Sequence, residues 1–311
     1  MKGITPVLLA VLCLGVSNCS DLTDTELQVR EQYRVESAVG SVPAGLILVS
    51  DALQGSIWSY DTKTQEVALF HHFAENGNYD IKYSGPNTLV IANCNGRIDQ
   101  LDLRSGEVTT LSDDPELGFT IEVAVSHRGV YYITDHGGDE WAGIMSFDVR
   151  TGQVDMIAQW NPDDPTGPLS GNPDGIIEDT RGKVLVVSGT RVYRLSPKSK
   201  SIEILADIPD HRLTGIVFTR DGALIVASGD PAAVFQVDPN TGAYSTLFEG
   251  EPLQFPADVA VDVHGNVYVI DPEATGLYVI EGKTGTIREL YTGTPFQDVV
   301  DILLTPFTGR Q

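Results

Sequence analysis

The sequence predicts an all-β fold, a six-bladed β-propeller with four antiparallel strands per blade, and three observations carry that prediction. First, a turn of the form Asp-x-x-Thr/Ser-Gly recurs between alternating apolar runs, at Asp61 to Gln65, Asp102 to Gly106, Asp148 to Gly152, Ser196 to Lys200, Asp238 to Gly242 and Glu281 to Gly285. Second, the copies start 41, 46, 48, 42 and 43 residues apart, with a mean of 44. That length fits four short strands and their turns, as in a propeller blade, better than a helical repeat. Third, no stretch beyond residue 33 keeps a helical period. With 311 residues, 41% of them hydrophobic and 20% charged, the chain is rich enough in apolar side chains to build a core and is neither a disordered tail nor a disulfide-held miniprotein.

Read from its start, the chain opens with a short positive region at Lys2 and an apolar run over Pro6–Val16. The run is shorter than the ~20 residues that span a bilayer and reads as a secretory signal peptide over residues 1–17. The expected location is therefore the exterior, a secretory lumen or a periplasm. Residues 18–41 form an N-terminal arm, and residues 42–311 a single propeller domain, expected as a monomer without a membrane span. Of three cysteines, Cys13 leaves with the leader. Cys19 and Cys94 either pair and staple the arm to the body or remain one terminal and one buried thiol.

The last unit shows the blade anatomy. Asp258–Val263 reads as the inner strand, His264 to Asn266 as a tight turn, Val267–Asp271 as the second strand, Leu277–Glu281 as the third and Ile287–Tyr291 as the outer one. Inner strands of the other units begin near Asp80, Glu122, Asp174 and Thr214. Blade one takes its second to fourth strands from Gly45 to Phe70. Two segments could supply its inner strand, Tyr33–Gly40 or Val299–Pro306, and the spacing after the last outer strand favours the C-terminal one. Closing the ring with strands from both ends removes the free sheet edge.

The net charge is −23, from 43 acidic and 20 basic side chains, and losing Lys2 with the leader makes it −24. Such a surface repels phosphate backbones, which argues against nucleic acid and leaves cations, neutral small molecules or basic partners. Part of the excess acid falls at one place. In a four-strand blade the outer-to-inner loops and the second-to-third loops emerge on one face, around the channel mouth. Asp80, Glu122, Asp174, Thr214, Asp258 and Asp298 or Asp301 come from inner-strand starts. Asp51, Asn93, Asn95, Asp135, His136, Asp139, Glu140, Asp230, Asp271 and Glu273 come from the other loops. Carboxylates gathered this way repel unless a cation, protons or water offset them. Ca²⁺, which takes about 6–8 oxygen ligands, is the natural candidate, against the alternative that these groups bond their own loops.

The segment Asn172-Pro173-Asp174-Gly175, continuing through Val192-Tyr-Arg-Leu-Ser196, resembles the Pro-Asp-Gly blade of the SMP-30/gluconolactonase family. Leu46 to Asp51 followed by Ser56 to Asp61 resembles that family's first blade. The resemblance implies a divalent cation in the channel, with Asp174, Glu122, Glu36 and Asp80 as candidate ligands. The family's Asn at the start of the preceding inner strand is replaced by Ile121 beside Glu122. It further implies a metal-dependent lactone or ester hydrolase in which the cation polarises the carbonyl and Asp174 handles the attacking water. His136 and Glu122, from the top loops and inner-strand starts, are the further catalytic candidates.

Two other classes remain open. Strictosidine-synthase-like proteins and hetero-Diels-Alderases are similar in outline and would make this a metal-independent natural-product cyclase. The insert Thr134–Gly143 would then supply His136 as acid or base and Trp141 as a stacking wall. Asn93, Asp135, His211 and Asp258 complete the candidate substrate contacts. His127 and His264 fall on the opposite face, and His71 and His72 open a top loop. An NHL-like binding propeller would instead present Trp160, Phe255, Phe296 and the loop Asn161–Pro173 to a partner. No Gly-rich phosphate loop, Gly-x-Ser-x-Gly elbow or His-Glu-x-x-His pattern occurs, which argues against nucleotide cofactors, α/β-hydrolase and zincin chemistry.

Overall fold

A computed structural model describes residues 43–75, 77–137, 142–160, 169 and 171–305. The leader, the arm, Glu36 and Trp141 lie outside the described residues. Twenty-four strands form six four-stranded antiparallel sheets among those described. Blade one holds β1 (Leu46–Asp51), β2 (Ser56–Asp61) and β3 (Val67–His72). Blade two holds β4 (Asn78–Gly85), β5 (Thr88–Asn93), β6 (Arg97–Asp102) and β7 (Val108–Ser112). Blade three holds β8 (Thr120–Val125), β9 (Val130–Asp135), β10 (Ala142–Asp148) and β11 (Gln153–Trp160). Blade four holds β12 (Pro173–Glu178), β13 (Val184–Ser188), β14 (Arg191–Ser196) and β15 (Ser201–Asp207). Blade five holds β16 (Arg212–Phe218), β17 (Leu224–Asp230), β18 (Ala233–Val237) and β19 (Tyr244–Glu249). Blade six holds β20 (Asp258–Val261), β21 (Val267–Asp271), β22 (Gly276–Ile280) and β23 (Ile287–Thr292). The last strand, β24 (Val299–Leu304), is the inner strand of blade one.

The ring therefore closes as the spacing predicts. Ile47, Leu48 and Val49 pair with Leu304, Leu303 and Ile302. Thr305 locks the junction: its hydroxyl donates to the Pro43 carbonyl at 2.7 Å and accepts the Leu46 amide at 3.0 Å. The recurrent turns work through their leading Asp. Asp102 Oδ1 accepts the amides of Arg104 and Ser105, both at 2.9 Å, and Asp148 and Asp238 repeat the pattern. The turn ends in the left-handed region, at φ 73° for Gly106. The two copies that lack glycine reach it with Gln65 at 61° and Lys200 at 53°.

The core lies between blades rather than within one. Ile177, Leu185 and Val187 of blade four pack with Leu213, Ile216, Val226 and Phe235 of blade five, and equivalent clusters fill the other spaces. Each fully buried side chain of this size contributes about 1.5–3 kcal/mol. Both faces of most sheets are covered, so the second strands run nearly all apolar, as in Val184–Ser188, rather than alternating.

Candidate functional site

Each inner strand carries, just before a buried Ile or Val, one residue at the same level of the channel: Asp80, Glu122, Gly175, Gly215, Asp258 and Asp301. The four acids act as straps between blades, each accepting an amide of the next inner strand. Asp301 Oδ2 takes Ile81 N at 2.8 Å, Asp80 Oδ2 takes Val123 N at 2.6 Å, Glu122 Oε2 takes Ile176 N at 3.1 Å and Asp258 Oδ2 takes Ile302 N at 3.4 Å. At the two glycines the backbones meet directly. A Cβ on Gly175 would strike the Thr214 carbonyl, and one on Gly215 would strike the Asp258 carboxylate.

Lys82 answers the question of what offsets these acids. It stands two residues after Asp80, hence on the same face of β4. Its ammonium bonds the Asp80 carboxylate and lies 2.8 Å from Asp301 Oδ1. Burial alone would lower its affinity for the proton, but Asp301 and Asp80, with Asp258 and Glu122 beyond them, hold it well above the ordinary lysine value. Burial pushes Asp80 and Asp258 well up, and repulsion from Asp301 and Glu122 adds to it. Burial likewise lifts Glu122 to about 7, against the pull of Lys82. Asp301 goes the other way: Lys82 and hydrogen bonds from Asp258 and Asp80 outweigh its burial and keep it low. Lys82 thus stands between two carboxyls of opposite tendency, Asp301 held low and Asp80 pushed up.

The mouth is different. The pairing of β12 with β13 shifts register between Pro173 and Ile176, and that of β16 with β17 between Leu213 and Ile216. These bulges sit at Asp174-Gly175 and Thr214-Gly215, where an extra residue re-aims the side chains. Asp174 meets His136, from the loop after β9, at 3.3 Å between Oδ1 and Nε2. Its other oxygen, Oδ2, lies 4.0 Å from Arg212 Nη2. His136 Nε2 is also 3.1 Å from the Pro173 carbonyl, an acceptor only, which assigns a proton to Nε2; in the neutral ring the lone pair is then on Nδ1. Phe119 stacks on the imidazole at 6.4 Å, and Phe255 lies under the Arg212 guanidinium at 5.5 Å. All three polar side chains keep partial exposure, 15% for Asp174, 20% for His136 and 40% for Arg212, so a ligand can reach them.

Other expected rim residues have structural work. Asp135 is fully buried, its carboxylate accepting the amides of Gly118, Phe119 and Gly137 at 3.0, 3.0 and 2.7 Å. Asp271 clasps Gln254, Phe255 and Ala274 in the same way, and Asp51 clasps Gln54 and Gln297. Burial lifts Asp51 to about 6 despite those bonds. Asn93, also fully buried, accepts the Asn95 amide at 3.1 Å. The expectation that Asp135 and Asn93 touch substrate is therefore corrected: loop amides consume them. His211 faces its own blade, with Nδ1 3.2 Å from Ser228 Oγ and its ring edge-on to Phe235. Asp258, expected among the substrate contacts, belongs to the buried channel group, as do Glu122 and Asp80. A cavity of about 470 Å³ lined by Arg128, Gly129, Asp148, Val149 and Arg150 is built from turns of the opposite face and holds none of these groups.

Sequence reasoning finds Asp174 and His136, which the fold brings together. It misses Lys82 and Arg212, although each lies two residues from a singled-out inner-strand residue, Asp80 and Thr214. The donor set is also a test of the expected cation. One oxygen of each channel carboxylate is spent on a backbone amide, an ammonium stands between Asp80 and Asp301, and no three His, Cys, Asp or Glu among the described residues are grouped to hold a metal ion. The described residues do not fit the group.

No family model matches this sequence, and no curated sequence does. Solved structures do. A chain in the nidogen/laminin complex matches with TM-score 0.69 at 18% identity, over 83% of this chain and 97% of that one. A streptogramin B lyase matches with TM-score 0.57 at 17% identity, over 82% and 76%. A catalytically inactive virginiamycin B lyase from Staphylococcus aureus with quinupristin matches with TM-score 0.56 at 16% identity, over 82% and 77%. At these identities the likeness establishes the six-bladed propeller fold.

Proposed function

We propose that this chain is a small-molecule enzyme that opens a lactone or ester bond at the channel mouth by acid–base chemistry. One observation carries the reading: an imidazole and a guanidinium converge on the two oxygens of one partly exposed carboxylate, Asp174, at the open end of a propeller channel. His136 Nδ1 takes a proton from water as the water oxygen attacks the ester carbonyl. Asp174 stabilises the imidazolium through Nε2–H, and Arg212 stabilises the oxyanion. The C–O bond to the leaving alcohol then breaks, and His136 returns its proton to that oxygen, so ester and water become acid and alcohol. Phe119 and Phe255 give the imidazole and guanidinium apolar backing. Fold neighbours that include a streptogramin B lyase support an enzyme on this fold, and the Pro-Asp-Gly resemblance supports a lactone or ester substrate. The apolar leader supports export.

The test is turnover of simple γ- and δ-lactones, aryl acetates and quinupristin, followed by mass spectrometry. The expected product gains the mass of one water, and His136→Ala and Asp174→Asn lower kcat/KM by about 10²-fold or more. Turnover that survives both variants overturns the assignment of the site. Turnover of no panel member leaves the non-catalytic binding propeller as the reading.

A further inference from the structure

The channel carries its own cation: we propose that the Lys82 ammonium takes the place of the divalent ion that an acidic propeller channel would otherwise need, and that it is the positioning residue on which the inter-blade straps depend. The accounting of oxygens supports this. Asp301, Asp80, Glu122 and Asp258 each give one oxygen to a neighbouring strand's amide. The free oxygens of Asp80 and Asp301 face Lys82. Little is left for an ion that wants about 6–8 oxygens. The accounting of charge agrees. The groups facing Lys82 are Asp80 on its own strand, Asp301 from β24, Asp258 from β20 and Glu122 from β8. The Lys82 ammonium bonds the two nearest of them, Asp80 and Asp301, directly. Through Glu122, which bonds Ile176 N on β12, the same group steadies the strand that presents Asp174.

The proposal concerns the channel and stands whether or not the mouth is catalytic, so it is tested on metal content and melting. Elemental analysis of desalted wild-type protein should find no stoichiometric divalent metal. EDTA, or about 1 mM Ca²⁺ or Mg²⁺, should leave Tm in place, because an ion that binds only the folded state would raise it. Lys82→Met removes the charge at similar volume and should lower Tm on the order of 10 °C, by stranding the buried Asp301 carboxylate. Lys82→Met with Asp301→Asn should recover more than half of that loss. A copurifying stoichiometric metal, a chelator-induced fall in Tm, a Lys82→Met protein that melts with wild type, or a double variant no better than the single one would each overturn it. Should Lys82→Met fail to fold, soluble recovery of the double variant and the wild-type metal measurements decide the matter.

Discussion

The channel wall has two kinds of seam. Along β20, β24, β4 and β8, carboxylates bridge from strand to strand over a buried ammonium, whereas at Gly175 on β12 and Gly215 on β16 the same level of the wall is bare backbone. The two share one architecture and differ in one side chain per strand. Where the wall is made of charge, the acids are consumed by the fold. Where it is glycine, no side chain stands between the strands, and Asp174, just before Gly175, keeps partial exposure at the mouth beside His136 and Arg212. Acid content alone therefore says little about a site. What counts is whether the oxygens are already taken.

The largest expected effect breaks the charged seam. Asp301→Ala removes one of the two carboxylates that bond the buried Lys82 ammonium and the acceptor of Ile81 N, leaving that amide without its partner. It should cost about 3–5 kcal/mol in urea denaturation. A loss under ~1 kcal/mol would mean that the ion pair is not what closes this side of the ring. On the other seam, Gly215→Ala should cost about 1–3 kcal/mol, since its Cβ meets the Asp258 carboxylate and the β20 backbone. A neutral result there would remove the close-approach account of the glycines.

A third prediction separates the seams by pH. Glu122 in the folded protein titrates near 7, above its ordinary value near 4.5, and Asp80 and Asp258 are raised as well. Groups whose folded value is raised add stability that is complete below their unfolded value and disappears as pH rises through the folded one. For Glu122 that window runs from 4.5 to about 7, and Asp51, raised to about 6, adds to the same slope. The turn carboxylates Asp61, Asp102, Asp148 and Asp238 act oppositely: backbone amides hold them low, so their contribution is lost only as pH falls below the usual carboxylate range. Burial lowers His71 to about 4 from its ordinary 6.5, so it gains stability as pH rises over the same range and opposes them. With Glu122, Asp51, Asp80 and Asp258 set against this one group, melting should still decline from mild acid toward pH 7. Glu122→Gln, which keeps an acceptor for Ile176 N, should flatten the decline. An unchanged slope would show that Glu122 does not titrate in that window.

Most of the fold was legible because propeller turns leave marks in sequence: Asp102, Ser105 and Gly106 each answer a local backbone demand, and the spacing of such turns counts the blades. The closure by Val299–Leu304 followed from the same spacing. The site was legible in part. Asp174 and His136 were singled out because loop residues with polar neighbours stand out, and the fold brings them within 3.3 Å. Asp135 looked the same, but its carboxylate accepts three amides, from Gly118, Phe119 and Gly137, two of them in a loop some 17 residues upstream that the sequence does not place beside it. Lys82 was missed although a period of two from Asp80 puts it on the channel face. A basic residue on a strand otherwise read for acids drew no attention, even though charge balance required one.

The smallest expected effect on stability belongs to the mouth, and it sharpens the comparison most. If the glycine side of the channel exists to present His136, Asp174 and Arg212 rather than to hold blades together, these residues should be nearly dispensable for folding. Their contacts are at 3.3 and 4.0 Å and partly exposed, and the one that crosses between inner strands, Arg212 on β16 with Asp174 on β12, is the longer. Exposed or half-exposed pairs of this kind contribute about 0–1 kcal/mol. Arg212→Met keeps an apolar chain of similar length and removes the guanidinium with its stacking on Phe255, so it should cost less than about 1 kcal/mol in urea denaturation. The same variant should weaken any turnover of lactone or ester probes at least tenfold, the usual scale for losing a charged donor at a developing oxyanion. Loss of stability comparable to that of Asp301→Ala would instead make Arg212 a fifth strap. The two seams would then be one continuous scaffold, with Asp174 held for the fold rather than for a ligand.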